Sequence, residues 1–240
     1  MTFSAPNHKS QFTNRKSDIS RPLLLGHRGA RKYAPENTIE AFDLALGHGC
    51  DGFEFDVRRT CDARSVLCHD PKLHHHAVAE STYTDLQSLV RSLACLEDVL
   101  ERFTGRAFLD IELKVPQLED ALVTALHERQ PCDCVVSSFL SDVLDGMRAR
   151  DPQIPRGFLF DHGEGLMRWA SLDVQYVLPH HSLVSRELVE DVHAAGRKVM
   201  VWTVNQEKEM RQLAAMGVDG IVSDDTRLLG SVLGDRRRPG

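Results

Sequence analysis

Short runs rich in β-branched and aromatic residues alternate along the chain with longer stretches whose apolar positions recur every three to four residues. The short runs predict strands over 23–25, 52–57, 65–68, 107–113, 134–138, 157–160, 175–178, 198–204 and 220–222. The longer stretches predict helices over 36–47, 118–129, 141–150, 185–195 and 207–216, the fourth opening on Ser185 as an N-cap and ending before Gly196. Such alternation implies a parallel sheet with helices outside it, because parallel strands need long crossovers. Nine runs are one too many for an eight-stranded barrel. The odd one is 65–68, since CDARS at 61–65 is short enough to fold it back on 52–57 as a hairpin. The stretch 71–93 then reads as a loop or short insertion after strand two. No linker or internal repeat divides the chain, so 23–234 is expected to be one domain.

The ends lie outside that pattern. Residues 1–22 are polar, lack the apolar core of a secretory signal and read as a disordered tail, while 235–240 read as a short basic tail. No apolar stretch approaches the roughly 18 residues that span a bilayer, so a soluble, cytoplasmic protein without stable membrane association is expected.

Composition narrows the function. The 240 residues are 42% hydrophobic and 27% charged, as in an ordinary globular protein, with a formal net charge of −6. That sign argues against nucleic acid as a partner, so a phosphate would have to be met by a local site. Six scattered cysteines without a C-x-x-C spacing read as reduced thiols, with Cys132 and Cys134 half-buried at a strand start. Twelve histidines leave open metal binding, acid–base chemistry or neither.

In a parallel barrel, side chains at the C-terminal ends of strands converge on one mouth. Strand one ends in Gly26-His27-Arg28-Gly29, which suits close approach to an anion, although a surface turn accounts for it equally well. Strand two places Glu54 and Asp56 on one face and Phe53, Phe55 and Val57 on the other. Two carboxylates so close repel each other unless a cation or proton intervenes. A hard cation such as Mg²⁺ or Ca²⁺ answers that need better than zinc, because no His or Cys shares the face. The run 108–114 repeats the device. Glu112 can complete a three-carboxylate site, Lys114 can reach a phosphate, and Asp110 lies deeper. In Leu67-Cys68-His69-Asp70-Pro71 an apolar run stops at a histidine that can pair with His27 as acid and base. Together these groups suit metal-assisted phosphodiester cleavage.

The segments HRGARKYAPENTIEAF (27–42), DGFEFDVRRT (51–60), LCHDP (67–71), DIELK (110–114), SSF (137–139) and VWTVNQEKEMRQLAAMGVDGIVSD (201–224) resemble the glycerophosphodiester phosphodiesterase family, over nearly all of 23–229. The resemblance implies an α/β TIM (β/α)8 barrel and metal-dependent hydrolysis of a small-molecule glycerophosphodiester to an alcohol and sn-glycerol 3-phosphate. By the same resemblance, His27 and His69 are the acid–base pair, and Glu54, Asp56 and Glu112 bind one divalent ion, Mg²⁺ or Ca²⁺, with Mn²⁺ also admitted. Arg28 and Lys114 would hold phosphate or glycerol oxygens, and Glu36 and Asn37 would orient Arg28. Trp202 would form a wall of the substrate pocket, with core packing as its competing role. The chain departs from the family pattern after Pro71, where Leu73 is followed by His74-His75-His76. A lysophospholipase D-like activity and a non-catalytic phosphate- or metal-binding barrel are the alternative functions; the first lacks an amphipathic membrane helix near the mouth, and no ligand or histidine is missing as the second would favour.

Overall fold

The structure, a computed structural model, describes residues 21–130 and 133–234. The two expected tails, apart from Arg21 and Pro22, and Cys132 therefore lie outside the described residues. The chain opens with β1 (Leu23–Gly26), α1 (Ile39–Gly47) and β2 (Gly52–Arg59). An excursion follows, made of β3 (Ser65–Leu67), the short strands β4 (Lys72–Leu73) and β5 (His76–Ala77), α2 (Tyr83–Leu89) and α3 (Leu96–Phe103). Strict alternation then runs through β6 (Phe108–Leu113), α4 (Glu119–Arg129), β7 (Cys134–Ser138), α5 (Ser141–Arg150), β8 (Arg156–Phe160) and α6 (Gly163–Arg168). It ends with β9 (Tyr176–Pro179), α7 (Arg186–Ala194), β10 (Lys198–Val201), α8 (Glu207–Met216), β11 (Gly220–Ser223) and α9 (Thr226–Leu233).

β1 pairs in parallel with both β2 and β11, so the order β1-β2-β6-β7-β8-β9-β10-β11 closes into a ring of eight parallel strands. This is a single-domain TIM barrel. The ninth run, β3, folds back antiparallel on β2 with Val57 opposite Leu67, as the short connection implied. No helix among the described residues is long and apolar enough to cross a membrane.

Local chemistry sets the element ends. The first helix begins at Ile39 rather than 36, because Asn37 takes a left-handed φ of 57° and Thr38 is the N-cap, its hydroxyl accepting from the Ala41 amide at 3.2 Å. Ser185 caps α7 in the same way at 3.1 Å. β10 stops at Val201, three residues short of the expected end, where Trp202 keeps only a bridge to His180. The 71–93 stretch holds a hairpin and a helix rather than plain loop, and α3, α6 and α9 carry no counterpart among the predicted helices.

The alternation along β2 divides the core. Its odd-numbered residues Phe53, Phe55 and Val57 are fully buried under α1, α3 and α4, together with Leu109, Ile111 and Leu113 of β6. Phe42 stacks on Phe53 with ring centroids 4.1 Å apart, and Phe103 meets Phe53 edge-on at 4.9 Å. The β2–β6 contact needs Gly52, because a Cβ there would lie 1.9 Å from the Phe108 carbonyl oxygen. The aromatic layer thus fixes the strand whose opposite face carries the acids. Replacing Phe53 by Ala should cost about 3–5 kcal/mol in urea denaturation. A loss below about 1 kcal/mol would mean that this layer does not hold β2 in place.

Candidate active site

Parallel registration of β2 with β6 places Glu54 opposite Asp110 and Asp56 opposite Glu112. All four carboxylates point into the barrel, and each is at least nine-tenths buried. A cavity of about 250 Å³ opens above them. Glu54, Asp110 and Glu112 line it with His27, Arg28, His69 and Lys114, together with Asp161 and the apolar Phe139, Leu159, Leu178, Trp202 and Val222. The predicted acid–base, carboxylate and cationic residues therefore meet around one space, with Asp56 buried just beneath it.

Glu54, Asp56 and Glu112 each offer an oxygen within 4.8 Å of the others. Three of their oxygens have donors. Glu54 Oε2 accepts from the Arg28 amide at 2.9 Å, Asp56 Oδ2 from Asn37 Nδ2 at 2.9 Å, and Glu112 Oε1 from Lys114 Nζ at 2.6 Å. Glu54 Oε1 and Asp56 Oδ1 are buried without a hydrogen-bond donor, although Lys114 Nζ stands 3.4 Å from the latter at ion-pair distance. Buried carboxylate oxygens left without donors are costly. An all-oxygen set with two such atoms fits a hard divalent cation.

The electrostatics follow from crowding. Burial pushes Glu54 well above the usual carboxylate range, and the neighbouring charges of Asp56, Glu112 and Asp110 push it further. Burial and Asp56 likewise raise Glu112, against the pull of Lys114. Asp110 is raised to about 7 by burial, despite the hydroxyl bond it accepts from Ser137 at 2.6 Å. Burial works against the Asp56 anion too, but Lys114, Arg28 and the Asn37 amide outweigh it and hold this carboxyl low. Of the three ligand candidates, Asp56 is the one whose anion the surrounding positive charges favour most.

Arg28 adopts a left-handed φ of 51°. Its Nη1 donates to both oxygens of Glu36 at 2.9 and 3.1 Å, and its Nε lies 3.2 Å from Asp56 Oδ2. Burial disfavours the guanidinium charge, yet Asp56, Glu36 and Glu54 together raise its pKa. Asn37 Oδ1 accepts from the Asp56 amide at 3.1 Å while its Nδ2 donates to the same residue's carboxylate, so one side chain fixes both ends of that ligand candidate. Trp202 is half-buried. Its Nε1 donates to the Leu178 carbonyl at 2.9 Å and its ring meets Phe139 edge-on at 5.4 Å, so it packs on the barrel interior and walls the cavity at once.

The two histidines sit differently. His27 Nδ1 is 2.7 Å from Asp224 Oδ1, and its Nε2 is 3.9 Å from Glu54 Oε2. Burial lowers its pKa, with Asp224 opposing and Arg28 reinforcing. His69 is more exposed, with Nδ1 2.7 Å from Asp70 Oδ1. Its carbonyl accepts from Arg58 Nε at 2.8 Å. His74, His75 and His76 lie exposed on the β4–β5 hairpin. The His180 ring packs edge-on against Trp202 at 5.3 Å. Sequence reasoning did not single out Asp224, Asn205 or Asp161. The signal for Asp224 was available, because it follows the last barrel strand at the level where His27 follows the first.

Asn37→Ala removes both bonds to Asp56 and puts a Cβ-bearing residue of another kind at a positive φ. The loss should be about 1–3 kcal/mol by chemical denaturation, and an unchanged midpoint would show that Asn37 does not support Asp56.

The model of the glycerophosphoryl diester phosphodiesterase family matches residues 27–228. A Bacillus subtilis protein called YhdW is 31% identical over 227 residues, spanning 84% of this chain and 93% of that one. The glycerophosphodiester phosphodiesterase of Caldanaerobacter subterraneus subsp. tengcongensis is 29% identical over 232 residues, spanning 86% of this chain and 96% of its own. Among solved structures, an Oleispira antarctica phosphodiesterase in complex with the product sn-glycerol-3-phosphate superposes with a TM-score of 0.78 at 26% identity, covering 88% of this chain and 96% of that one.

Proposed function

This chain belongs to the glycerophosphoryl diester phosphodiesterase family and is an enzyme of that activity; from that premise we propose metal-dependent hydrolysis of a small glycerophosphodiester to an alcohol and sn-glycerol 3-phosphate, with His27 and His69 as acid and base. The observation that carries this reading is the meeting of both histidines, Arg28, Lys114 and the carboxylate cluster around one cavity. Glycerol 3-phosphate bound to the Oleispira antarctica phosphodiesterase supports the same product here.

Glu54, Asp56 and Glu112 would hold Mg²⁺ or Ca²⁺, and Mn²⁺ suits the same donors. When bound there, such a cation supplies Lewis-acid polarisation of a phosphoryl oxygen and offsets the negative charge. Arg28, braced by Glu36, and Lys114, braced by Glu112, offer cationic donors to the phosphate oxygens. Asn37 keeps Asp56 in place beside Arg28. His27, favoured in its neutral form by burial, takes at Nε2 the proton of the attacking hydroxyl, that of water or of the substrate's glycerol, and in the second case water then opens the cyclic phosphate. His69, held through Nδ1 by Asp70, donates its Nε2 proton to the leaving alkoxide. Trp202 and Phe139 present ring surface to the C–H face of the substrate and exclude water from that side. The described thiols Cys50, Cys61, Cys68 and Cys95 accord with a reducing, cytoplasmic setting.

Purified protein with Mg²⁺ or Ca²⁺ should release glycerol 3-phosphate from glycerophosphocholine or glycerophosphoethanolamine. His27→Ala and His69→Ala should each lower kcat by about 10²- to 10⁴-fold. Absence of product with every headgroup and metal tried, or full activity in His27→Ala, would sink the reading. Metal binding has a readout independent of turnover. At a metal concentration 100-fold above Kd the folded state gains about 2.7 kcal/mol, which raises Tm by roughly 5–11 °C for a chain of this size. Glu54→Gln and Asp56→Asn should abolish that increment, and an increment equal to wild type in both variants would place the metal elsewhere.

A further inference from the structure

Asp224 makes more bonds than a surface acid at a strand end needs. Its Oδ1 meets His27 Nδ1 at 2.7 Å, its Oδ2 accepts from Asn205 Nδ2 at 2.7 Å, and its amide donates to Asn205 Oδ1 at 2.9 Å. The Ser223 hydroxyl donates to the same Asn205 oxygen at 3.0 Å, and Arg31 Nε stands 3.6 Å from Asp224 Oδ1. Both carboxylate oxygens and the backbone amide of Asp224 are therefore committed, and the Asn205 side chain makes two of the bonds that hold it, while itself held by Ser223. Asn205 lies beyond the end of β10 and Asp224 beyond the end of β11, whereas His27 lies beyond the end of β1, so the three residues tie neighbouring strand ends together across the closure of the barrel.

The orientation of the ring is what makes this arrangement specific. An ionised carboxylate only accepts hydrogen bonds, so a neutral imidazole facing it at Nδ1 must carry its proton there. The other nitrogen is then left with a lone pair, and it is the one that faces Glu54, with Nε2 3.9 Å from Oε2. A neutral imidazole in solution favours neither nitrogen strongly enough to guarantee this, and a ring free to turn about its χ2 would present either edge. We propose that Asp224, itself held by Asn205, is the positioning residue that fixes the ring orientation and tautomer of His27, so that Nε2, on the side of Glu54, is the nitrogen free to accept the proton of the attacking hydroxyl. This inference rests on the role given to His27 in the proposed function.

An amide in place of the carboxylate keeps the size and can keep a hydrogen bond, but its NH₂ group can donate to Nδ1 and leave the proton on Nε2. Asp224→Asn should therefore lower kcat by about 10²- to 10⁴-fold, with KM changed less than about threefold and Tm close to wild type. Asn205→Ala, which removes only the brace, should lower kcat by about 10- to 100-fold. The direct reading is ¹⁵N NMR of the histidine side chains in the full-length protein, with His27 assigned by its loss in His27→Gln. In the neutral wild-type ring, Nδ1 should be the protonated nitrogen and Nε2 the unprotonated one, and in Asp224→Asn the pattern should shift toward the other tautomer. A wild-type His27 protonated on Nε2 overturns the inference without any variant at all, which matters if Asp224→Asn does not fold. A folded Asp224→Asn with kcat within twofold of wild type also overturns it. If His27→Ala is fully active or the wild type releases no product, the failure lies instead with the proposed function.

Discussion

The mutual repulsion of buried carboxylates governs this molecule. β2 and β6 bring Glu54, Asp56, Asp110 and Glu112 side by side at the top of the barrel. Two unit charges 4 Å apart repel by about 4 kcal/mol at an effective dielectric of 20, and each further anion adds to the load. The chain answers with bonds to one oxygen of each ligand candidate, from the Arg28 amide, Asn37 and Lys114, and with two guanidinium or ammonium charges at the rim. It leaves two oxygens without donors. Those two atoms support the proposed cation, since a site shaped only for stability would have supplied donors or replaced the acids by apolar residues.

That load can be borne because the opposite face of the same strands is so firmly packed. Phe42, Phe53 and Phe103 stack behind β2, and Gly52 permits a backbone approach to β6 that no other residue could make without moving Phe108. The period of two along a strand thus serves both tasks at once, apolar anchoring outward and carboxylates inward. The cavity lining contributed by β7 to β10 is largely apolar, with Phe139, Leu159, Leu178 and Trp202 set beside the ionic groups. A phosphodiester has that same division, with a charged centre and carbon-rich arms.

Much of this was legible in the chain because it is written in short local patterns. Glu54 and Asp56, then Asp110 and Glu112, share a face by strand alternation, and their alignment follows once β2 and β6 are neighbours. The hairpin of β2 and β3 followed from the few residues joining them. What escaped depends on longer reach or on atypical signals. The β4–β5 turn uses His74 and His75 at φ values of 45° and 74°, where the turn chemistry of sequence would call for Asn or Gly. Helix α3 starts from Cys95, whose backbone is capped by the Asp98 carboxylate, a start that residue preferences do not flag. The pairing of Asp224 with His27 spans 197 residues and exists only once the ring of strands is closed, so no periodicity could announce it.

The same span has a consequence during synthesis. His27 follows β1, the first strand of the ring in chain order, and the carboxylate at its Nδ1 follows β11, the last. A growing chain therefore carries all four carboxylates of the cavity, His27, His69, Arg28 and Lys114 well before β11 arrives to shut the ring. The contact between His27 and Asp224 forms only with ring closure, at one step rather than residue by residue. A barrel broken before β11 would hold those side chains without the closed ring that gathers them around one cavity.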